Sequence, residues 1–174
     1  EGVESGALFN SLPIGVVYYN TNGEVLIANS AANEILGKTT SPGQFCYDHM
    51  GEVLSVDGSG FSSNDHPCLM ALKTGKPLND VVMGVFHPLE KAYRWINVNA
   101  VPEFRDGEKE PFRVYTTLQD VTENISIRRK LKSSEERYRT LVDNMHSGLV
   151  IIQDGIIRLA NQTLAQKSGY TQDE

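Results

Sequence analysis

Residues 8–37 read LFNSLPIGVVYYNTNGEVLIANSAANEILG, and this stretch decides the fold because the chain repeats it. Residues 141–169 read LVDNMHSGLVIIQDGIIRLANQTLAQKSG and align with the first stretch through a single one-residue gap. The offset is 133 residues before the gap and 132 after it, which is the length of a domain and not of a solenoid repeat. We therefore expect one whole domain and the opening of a second copy, within a longer tandem array.

The repeated stretch has the pattern of a β-hairpin that leads into a short helix. Residues 15–20 and 24–29 are rich in β-branched and aromatic side chains, and Asn-Gly between two such runs is a strong signal for a tight turn. Residues 30–36 are predicted as a helix with Gly37 as its C-cap, since glycine readily adopts the left-handed backbone that ends many helices.

The rest of the first copy adds two short helices and three longer strands. Residues 4–12 and 67–74 are predicted as helices, the second with Asp65 as its N-cap. Apolar residues then recur with period two, which predicts strands over residues 79–87, 93–102 and 111–121. Strand runs separated by short helices favour an α+β fold, with a five-stranded antiparallel sheet and the short helices on one face.

From Asp120 the pattern becomes that of a long amphipathic helix. Asp120 and Glu123 have the spacing of a capping box. A seam then follows at intervals of four and three residues, formed by Ile127, Leu131, Ser134, Tyr138 and Leu141. This seam fits either a single amphipathic helix on its own domain or a short coiled coil. The expected organisation is a domain at 1–121, a linker helix at 122–144 and the start of a second domain at 145–174.

Charge and composition restrict the classes of partner. The net charge is −6, and no Lys/Arg cluster lies on a predicted sheet face or in a loop, so we expect no nucleic-acid partner. No run of 18 apolar residues is present to form a membrane segment within this chain, which leaves open an anchor elsewhere in the parent protein. Two cysteines do not make a disulfide framework, which favours a cytoplasmic location.

Several motifs, in the right order, resemble the PAS (sensory box) domain family. GVVYYNTNGEVLIAN (15–29) and GLVIIQDGIIRLAN (148–161) resemble the first two strands of that family, and ALKTGKP (71–77) resembles the helix and turn ahead of its third strand. Residues 93–123 resemble its last two strands and its Asp-Val-Thr-Glu exit. The stretch EERYRTLVDNMHSGLVII, at 135–152, resembles the opening of a following PAS domain.

The resemblance implies strand order 2-1-5-4-3, a small-molecule cavity under the sheet, and a helix that carries a signal to an output domain. The expected cavity lining is Val17, Ile27, Ile35, Leu36, Leu69, Leu72, Ile96, Val98, Ala100, Val114, Thr116 and Leu118. Thr116 alone breaks this apolar face, so it is the polar group expected to meet a ligand. The expected relay residues are Asp120, Thr122, Ile127, Leu131 and Tyr138, with Asp120 and Thr122 bonded to free backbone amides at the helix start.

The opposite face of the sheet is expected to carry Trp95 and Tyr115. These side chains make it more apolar than solvent contact requires, so we expect a helix or a second subunit to cover it. The expected partner is a second copy of the chain, in a homodimer formed through helix 122–144 and this sheet face. Arg94 and Arg113 share the outward phase and are expected to be solvated.

The sequence argues against flavin and haem, and the cofactor is left unknown. Tyr47 follows Cys46 where the light-sensing flavin branch of the family has Arg, and Ile96 and Leu118 stand where that branch has polar residues. Haem would need a histidine aimed into the cavity, and no histidine lies on a clear inward face.

Four residues could offer zinc ligands: Cys46, His49, His66 and Cys68. Their spacings are poor for a zinc finger, so no metal site is predicted. The alternative interpretation is a capping histidine beside Pro67 and two small buried thiols. Whether the four residues form a site stays open.

No catalytic motif is recognised. The chain has no Gly-rich phosphate loop, nucleophile elbow or HExxH motif, and His146 stands at a strand entry, so we expect no enzyme in this chain. Two functions stay open. The first is a sensory input module of a signal-transduction protein, which binds a small molecule or senses a cytoplasmic signal for an output domain such as a histidine kinase. The second is a ligand-free dimerisation or spacer module.

Overall fold

The elements follow the order that the sequence predicts. The structure, a computed structural model, describes residues 2–48 and 52–168, and the chain divides into two units, Glu1–Glu123 and Asn124–Glu174. The elements up to the end of the first sheet are α1 Gly2–Ser11, β1 Gly15–Tyr19, β2 Val25–Ala28, α2 Ser30–Leu36, β3 Val53–Leu54, a 3-10 turn Ser63–Asp65, α3 Pro67–Thr74, β4 Leu78–His87, β5 Ala92–Glu103 and β6 Arg113–Asp120. They are followed by α4 Thr122–Asp143, β7 Val150–Gln153, β8 Ile156–Ala160 and α5 Gln162–Ser168.

One antiparallel sheet organises the first unit, with strand order β2-β1-β6-β5-β4-β3. The five strands expected from the sequence are all present, and their order is the expected 2-1-5-4-3. The sixth strand, β3, is only two residues long and pairs with β4 at the edge of the sheet. It was missed because it lies in a glycine-rich stretch, where two residues give no period to recognise.

The alternation along the two central strands confirms the predicted inward phase. In β5 the buried positions are Ile96, Val98, Ala100 and Pro102, and the positions between them are half-buried. In β6 the buried positions are Val114, Thr116 and Leu118. Helix α2 packs on β1, and α3 packs on β5 and β6. The short helices therefore cover the apolar face of the sheet and enclose one core.

Asn29 ties the repeated stretch together from inside. Its side chain is fully buried, and its Oδ1 accepts the N–H groups of Val16 and Ala32, each at 2.9 Å. Its Nδ2 donates to the carbonyls of Phe9 at 3.1 Å and Ile14 at 2.9 Å. One amide side chain thus joins α1, β1 and the first turn of α2, where it acts as the N-cap.

Two local predictions were wrong. Ile27 is 51% exposed because it pairs with Tyr18, and directly opposed residues lie on the same face of a sheet. A register shift between Tyr18 and Tyr19 moves the buried position of β2 to Val25, which is 2% exposed. The N-cap of α3 is also not Asp65 but the next residue, a histidine described below.

Aromatic side chains cover part of the outer face of the sheet. Phe9 from α1 lies 6.4 Å from Tyr18 between ring centroids, and Tyr18 lies 5.5 Å from Tyr115. The guanidinium of Arg113 sits 4.8 Å from the centre of the Tyr18 ring and also pairs with Glu103. Arg113 is therefore stacked and paired, while its side chain stays 40% exposed on the outward phase, as the sequence predicts.

The second unit repeats the internal bonding of the first. Asn161 is fully buried, and its Oδ1 accepts the N–H groups of Leu149 at 2.8 Å and Leu164 at 3.0 Å. Its Nδ2 donates to the carbonyls of Val142 at 2.9 Å and Ser147 at 3.0 Å. These partners stand at the same repeat positions as those of Asn29. The repeat that the sequence predicts is therefore present as structure.

Strands β7 and β8 form a two-stranded sheet of their own. Their aliphatic side chains are 40–62% exposed, namely Val150, Ile151, Ile152, Ile156, Ile157 and Leu159. A two-stranded hairpin is marginal in water without further partners, and these side chains form an exposed apolar surface of the second unit. Within residues 2–48 and 52–168, no helix has the length and apolar character needed to cross a membrane.

Candidate functional site

The predicted cavity lining forms the core of the first unit. Apart from Ile27, the predicted residues are buried or packed against the buried core: Val17, Ile35, Leu36, Ile96, Val98, Ala100, Val114, Thr116 and Leu118 are buried, and Leu69 and Leu72 are half-buried. The core therefore contains the surface that would meet any molecule held under the sheet.

Thr116 is the polar exception in this core, as the sequence predicts. It pairs with Val17 of β1 on one side and with Ala100 of β5 on the other, so its immediate neighbours across the sheet are apolar. Its hydroxyl is buried and has no partner that meets hydrogen-bond geometry within the part of the chain that the structure describes, although it acts on the Tyr19 hydroxyl and lowers the pKa of that group. A buried hydroxyl without a partner is unusual and points to a group that a ligand or a water could bond.

Tyr19 extends the polar part of the core, and the sequence did not indicate this. The side chain is fully buried, and burial raises the pKa of Tyr19 well above its usual value, with Cys68 acting in the same direction and Thr116 in the opposite one. The ring also lies edge-on to His66, 6.5 Å between centroids. The tyrosine was missed because an apolar strand pattern does not separate a buried tyrosine from an exposed one.

A cluster of two cysteines and one histidine adjoins Tyr19. One potential ligand atom from each of Cys46, His66 and Cys68 lies within 4.8 Å of the other two, and all three residues are buried. The sequence named these residues as an open question, and the fold brings three of the four together. The fourth, His49, lies outside the described residues.

Each member of the cluster is held by the backbone around it. The N–H of Cys46 donates to the carbonyl of Gly23 at 2.9 Å, which ties its loop to the β1–β2 turn. Nδ1 of His66 accepts the N–H of Cys68 at 3.2 Å, which makes His66 the N-cap of α3, with Pro67 in the first turn. The predicted capping histidine is thus confirmed.

The two thiols are electrostatically unequal. Donation from the Cys68 thiol, together with the His66 side chain, lowers the pKa of Cys46 to about 5 in spite of its burial. The pKa of Cys68 is raised, because its proton bonds the Cys46 sulfur and because burial disfavours a second thiolate. The Cys68 thiol thus donates to the Cys46 sulfur, and Cys46 is the more acidic of the two thiols.

The junction between β6 and α4 is fixed by two side chains. Asp120 Oδ1 accepts the N–H of Thr122 at 2.9 Å, as the sequence predicts for an anchor at a helix start. Thr122 Oγ1 instead accepts the N–H of Trp95 at 2.8 Å, and the N–H of Val121 donates to the carbonyl of Trp95 at 2.8 Å. The threonine thus bonds the neighbouring strand β5, and its expected bond to a helix amide was wrong.

Arg94 connects this junction to the rest of the unit. It pairs with Glu90, lies 3.6 Å from Asp120 Oδ2, and donates to the carbonyl oxygens of Glu34 at 3.3 Å and Ile35 at 3.4 Å. The expected role as a solvated strand arginine was therefore wrong. The sequence did not show the contacts because carbonyl oxygens at the end of a short helix leave no residue pattern.

His87, the last residue of β4, is a second buried histidine, and the sequence did not single it out. It is 4% exposed, and its Nδ1 accepts the N–H of Glu90 at 3.1 Å. Its ring lies against Gly37, so closely that a Cβ there would overlap the imidazole. Gly37 also has φ of +66°, a backbone conformation that favours glycine. Two separate reasons therefore require glycine at this C-cap, the positive φ and the contact with the His87 ring.

Comparison with known families matches both units. A PAS domain model matches residues 13–123, and a second PAS domain model matches residues 136–174. The chain belongs to the PAS domain family. No curated protein is significantly similar to it. The six-stranded antiparallel sheet, the short helices over it and the long helix after it are the PAS-like fold that the sequence predicts.

Solved PAS structures share this fold at low sequence identity. The PAS domain of a protein from Colwellia psychrerythraea has a TM-score of 0.52 and 16% identity, covering 71% of this chain and 99% of that one. A sensory box histidine kinase/response regulator from Burkholderia thailandensis has a TM-score of 0.52 and 20% identity, covering 80% and 99%. An RNA-binding light-oxygen-voltage receptor has a TM-score of 0.60 and 15% identity, covering 78% of this chain and 37% of the receptor chain.

Proposed function

We propose that this PAS chain is the sensory input module of a cytoplasmic signal-transduction protein. In this proposal a small molecule occupies the core beneath the sheet, and the signal leaves through α4 to an output domain such as a histidine kinase of a two-component system. PAS domains are sensory modules, and the similar solved structures include a sensory box histidine kinase/response regulator. A histidine kinase is therefore the output domain that we propose. The chain itself carries no catalysis in this proposal.

The observation that carries the proposal is the path from the core to α4. Thr116 and Leu118 face the core from β6, and Asp120 ends the same strand. Two residues further on, Thr122 begins α4 and bonds β5 through the N–H of Trp95. A displacement of β6 relative to β5 therefore changes the position or the bonding of the first turn of α4. In this proposal that turn is the element with two arrangements through which the signal is relayed.

The ligand half of the proposal is tested by mass and by thermal stability. The chain purified from its own organism is analysed by non-denaturing mass spectrometry, and a bound small molecule is expected. Thr116→Val removes the unpaired hydroxyl while keeping the shape, so it should weaken retention of that molecule, while Thr117→Val on the outward phase of β6 should not. Absence of any bound mass, together with no thermal stabilisation by a metabolite panel, would contradict ligand sensing.

The relay half is tested at the junction. In the full-length protein, Asp120→Ala should leave the first unit folded but disconnect output activity from the stimulus, because the anchor of the first α4 turn and its contact with Arg94 are both lost. Gln119→Ala, at the neighbouring exposed position, is the matched control. Stimulus-dependent output that is unchanged in Asp120→Ala, with the fold intact, would show that the junction is only a linker.

A second candidate function is a dimerisation or spacer module without ligand. It is supported by the seam of α4, where Ile127, Leu131, Tyr138 and Leu141 are 54–68% exposed and keep heptad-like spacing. Association of a second copy along this seam would bury them. Light scattering should then show a dimer that Leu131→Asp disrupts and Lys132→Asp leaves intact. A module that dimerises in this way but never binds a small molecule would favour the spacer function.

A further inference from the structure

The cluster of Cys46, His66 and Cys68 has the composition of a metal site. Two sulfurs and one imidazole are a ligand set that zinc uses in proteins. The three residues come from two separate segments, the loop between α2 and β3 and the N-terminus of α3, so the chain spacing did not indicate a site. All three are buried, and closed structural zinc sites are likewise surrounded by protein.

The distances decide between a bound cation and a disulfide. The ligand atoms lie within 4.8 Å of one another. In tetrahedral zinc with Zn–S bonds of about 2.3 Å, neighbouring ligand atoms are about 3.8 Å apart, so closure around zinc needs a shift of about 1 Å at most. A disulfide needs about 2.05 Å between the sulfurs, a larger movement, and it gives the histidine no role.

We propose that Cys46, His66 and Cys68 bind a thiophilic divalent cation of the Zn²⁺ class. The three protein ligands leave the fourth tetrahedral position to a further ligand. Both thiols are bound as thiolates, and the two thiol protons go to solvent. The bound cation fastens the loop that carries Cys46 to the start of α3, beside Tyr19 in the core.

Local hydrogen bonds of the cluster have to be rearranged when a cation binds. Nδ1 of His66 accepts the N–H of Cys68 at 3.2 Å, so the neutral imidazole carries its proton on Nε2. Binding through either nitrogen gives up that hydrogen bond, since the metal takes the Nδ1 lone pair or the proton moves to Nδ1. This bond, together with the hydrogen bonds of Cys68 and His66 to the Cys46 sulfur, is a small loss beside the bonds of zinc to two thiolates and an imidazole.

The test is a metal titration of the full 174-residue chain, kept reduced and first stripped with a chelator. Zn²⁺ is added in competition with a chromophoric chelator, and we expect one tight site per chain. Cys46→Ser, Cys68→Ser and His66→Gln should each weaken binding by at least about 100-fold, more than outer-shell changes do. His146→Gln, an exposed histidine of the second unit, is the control and should leave the affinity unchanged.

A second measurement keeps the proposal testable if a variant fails to fold. Co²⁺ added to the unaltered reduced chain should give thiolate-to-metal charge-transfer absorption and the intense visible bands of tetrahedral coordination, both displaced by one equivalent of Zn²⁺. Absence of these bands, or Zn²⁺ affinity that depends on His146 and not on His66, would overturn the proposal. The proposal would also be overturned if the reduced chain bound no metal and its two cysteines formed a disulfide under mild oxidation.

Discussion

Replacing Asn29 with alanine should lower the free energy of unfolding of the first unit by about 3–5 kcal/mol, which is more than a surface substitution costs. The substitution removes the acceptor of two backbone donors, the N–H groups of Val16 and Ala32, which are 7% and 0% exposed as residues. A buried donor left without a partner costs about 1–3 kcal/mol. The carbonyls of Phe9 and Ile14 lose a donor as well.

Fluorescence of Trp95 during urea unfolding measures this loss. Trp95 is the single tryptophan of the chain and lies in β5, so its transition reports on the first unit. With a typical urea dependence of about 1–3 kcal/mol per molar, the midpoint should fall by roughly 2 M at an unchanged slope. A loss of this size is a large fraction of the stability of an ordinary domain, about 5–15 kcal/mol.

Asn161→Ala provides the matched control, because it removes the same four bonds from the second unit. It should leave the Trp95 transition unchanged. A loss below about 1 kcal/mol in Asn29→Ala would refute the reasoning, since it would mean that water or local rearrangement replaces the amide at little cost. An equal response of Trp95 to both variants would show that the two units do not unfold separately.

Three further outcomes follow from the same structure. Val98→Ala should cost about 1–3 kcal/mol by lost burial and cavity formation, measured by urea unfolding, and a negligible loss would contradict the inward phase of β5. Gly37→Ala, which forces a Cβ into the buried imidazole, should lower the thermal midpoint more than Gly43→Ala, which also has positive φ but open space around it; equal losses would show that only the backbone matters. The Arg94 guanidinium lowers the pKa of Glu90. The Glu90–Arg94 pair therefore stabilises the fold above the usual glutamate pKa, and this stabilisation is lost as the pH falls through the pKa that Glu90 has in the folded protein. Glu90→Gln should flatten this acid dependence, and an unchanged pH profile would contradict the pairing.

Much of the fold was predictable because strong periodic patterns carried it. The alternation of Ile96, Val98 and Ala100 identified the inward phase of β5, and the Asn-Gly turn identified the hairpin. Ile27 was assigned to the wrong face because a register shift between Tyr18 and Tyr19 is set by pairing geometry and changes the face of every later residue.

The candidate site was only partly predictable. Thr116 was identified because a hydroxyl on an apolar strand face is visible in the sequence. The assembly of Cys46 with His66 and Cys68 was not, since it depends on how the loop between α2 and β3 packs against α3. Contacts of side chains with carbonyl oxygens, such as those of Arg94, likewise leave no residue pattern and need the folded backbone.

The place of β1 in the sheet has a consequence for the order of folding. β1 is the first strand of the chain, but it pairs with the last strand of the unit, with Gly15 opposite Leu118. The bonds of Asn29 close over at most 20 residues, so the opening segment has early local contacts, whereas the centre of the sheet closes only when β6 is available. Contacts of such high sequence separation slow folding. During synthesis the edge of β1 that pairs with β6 therefore stays unpaired until nearly the whole unit has left the ribosome.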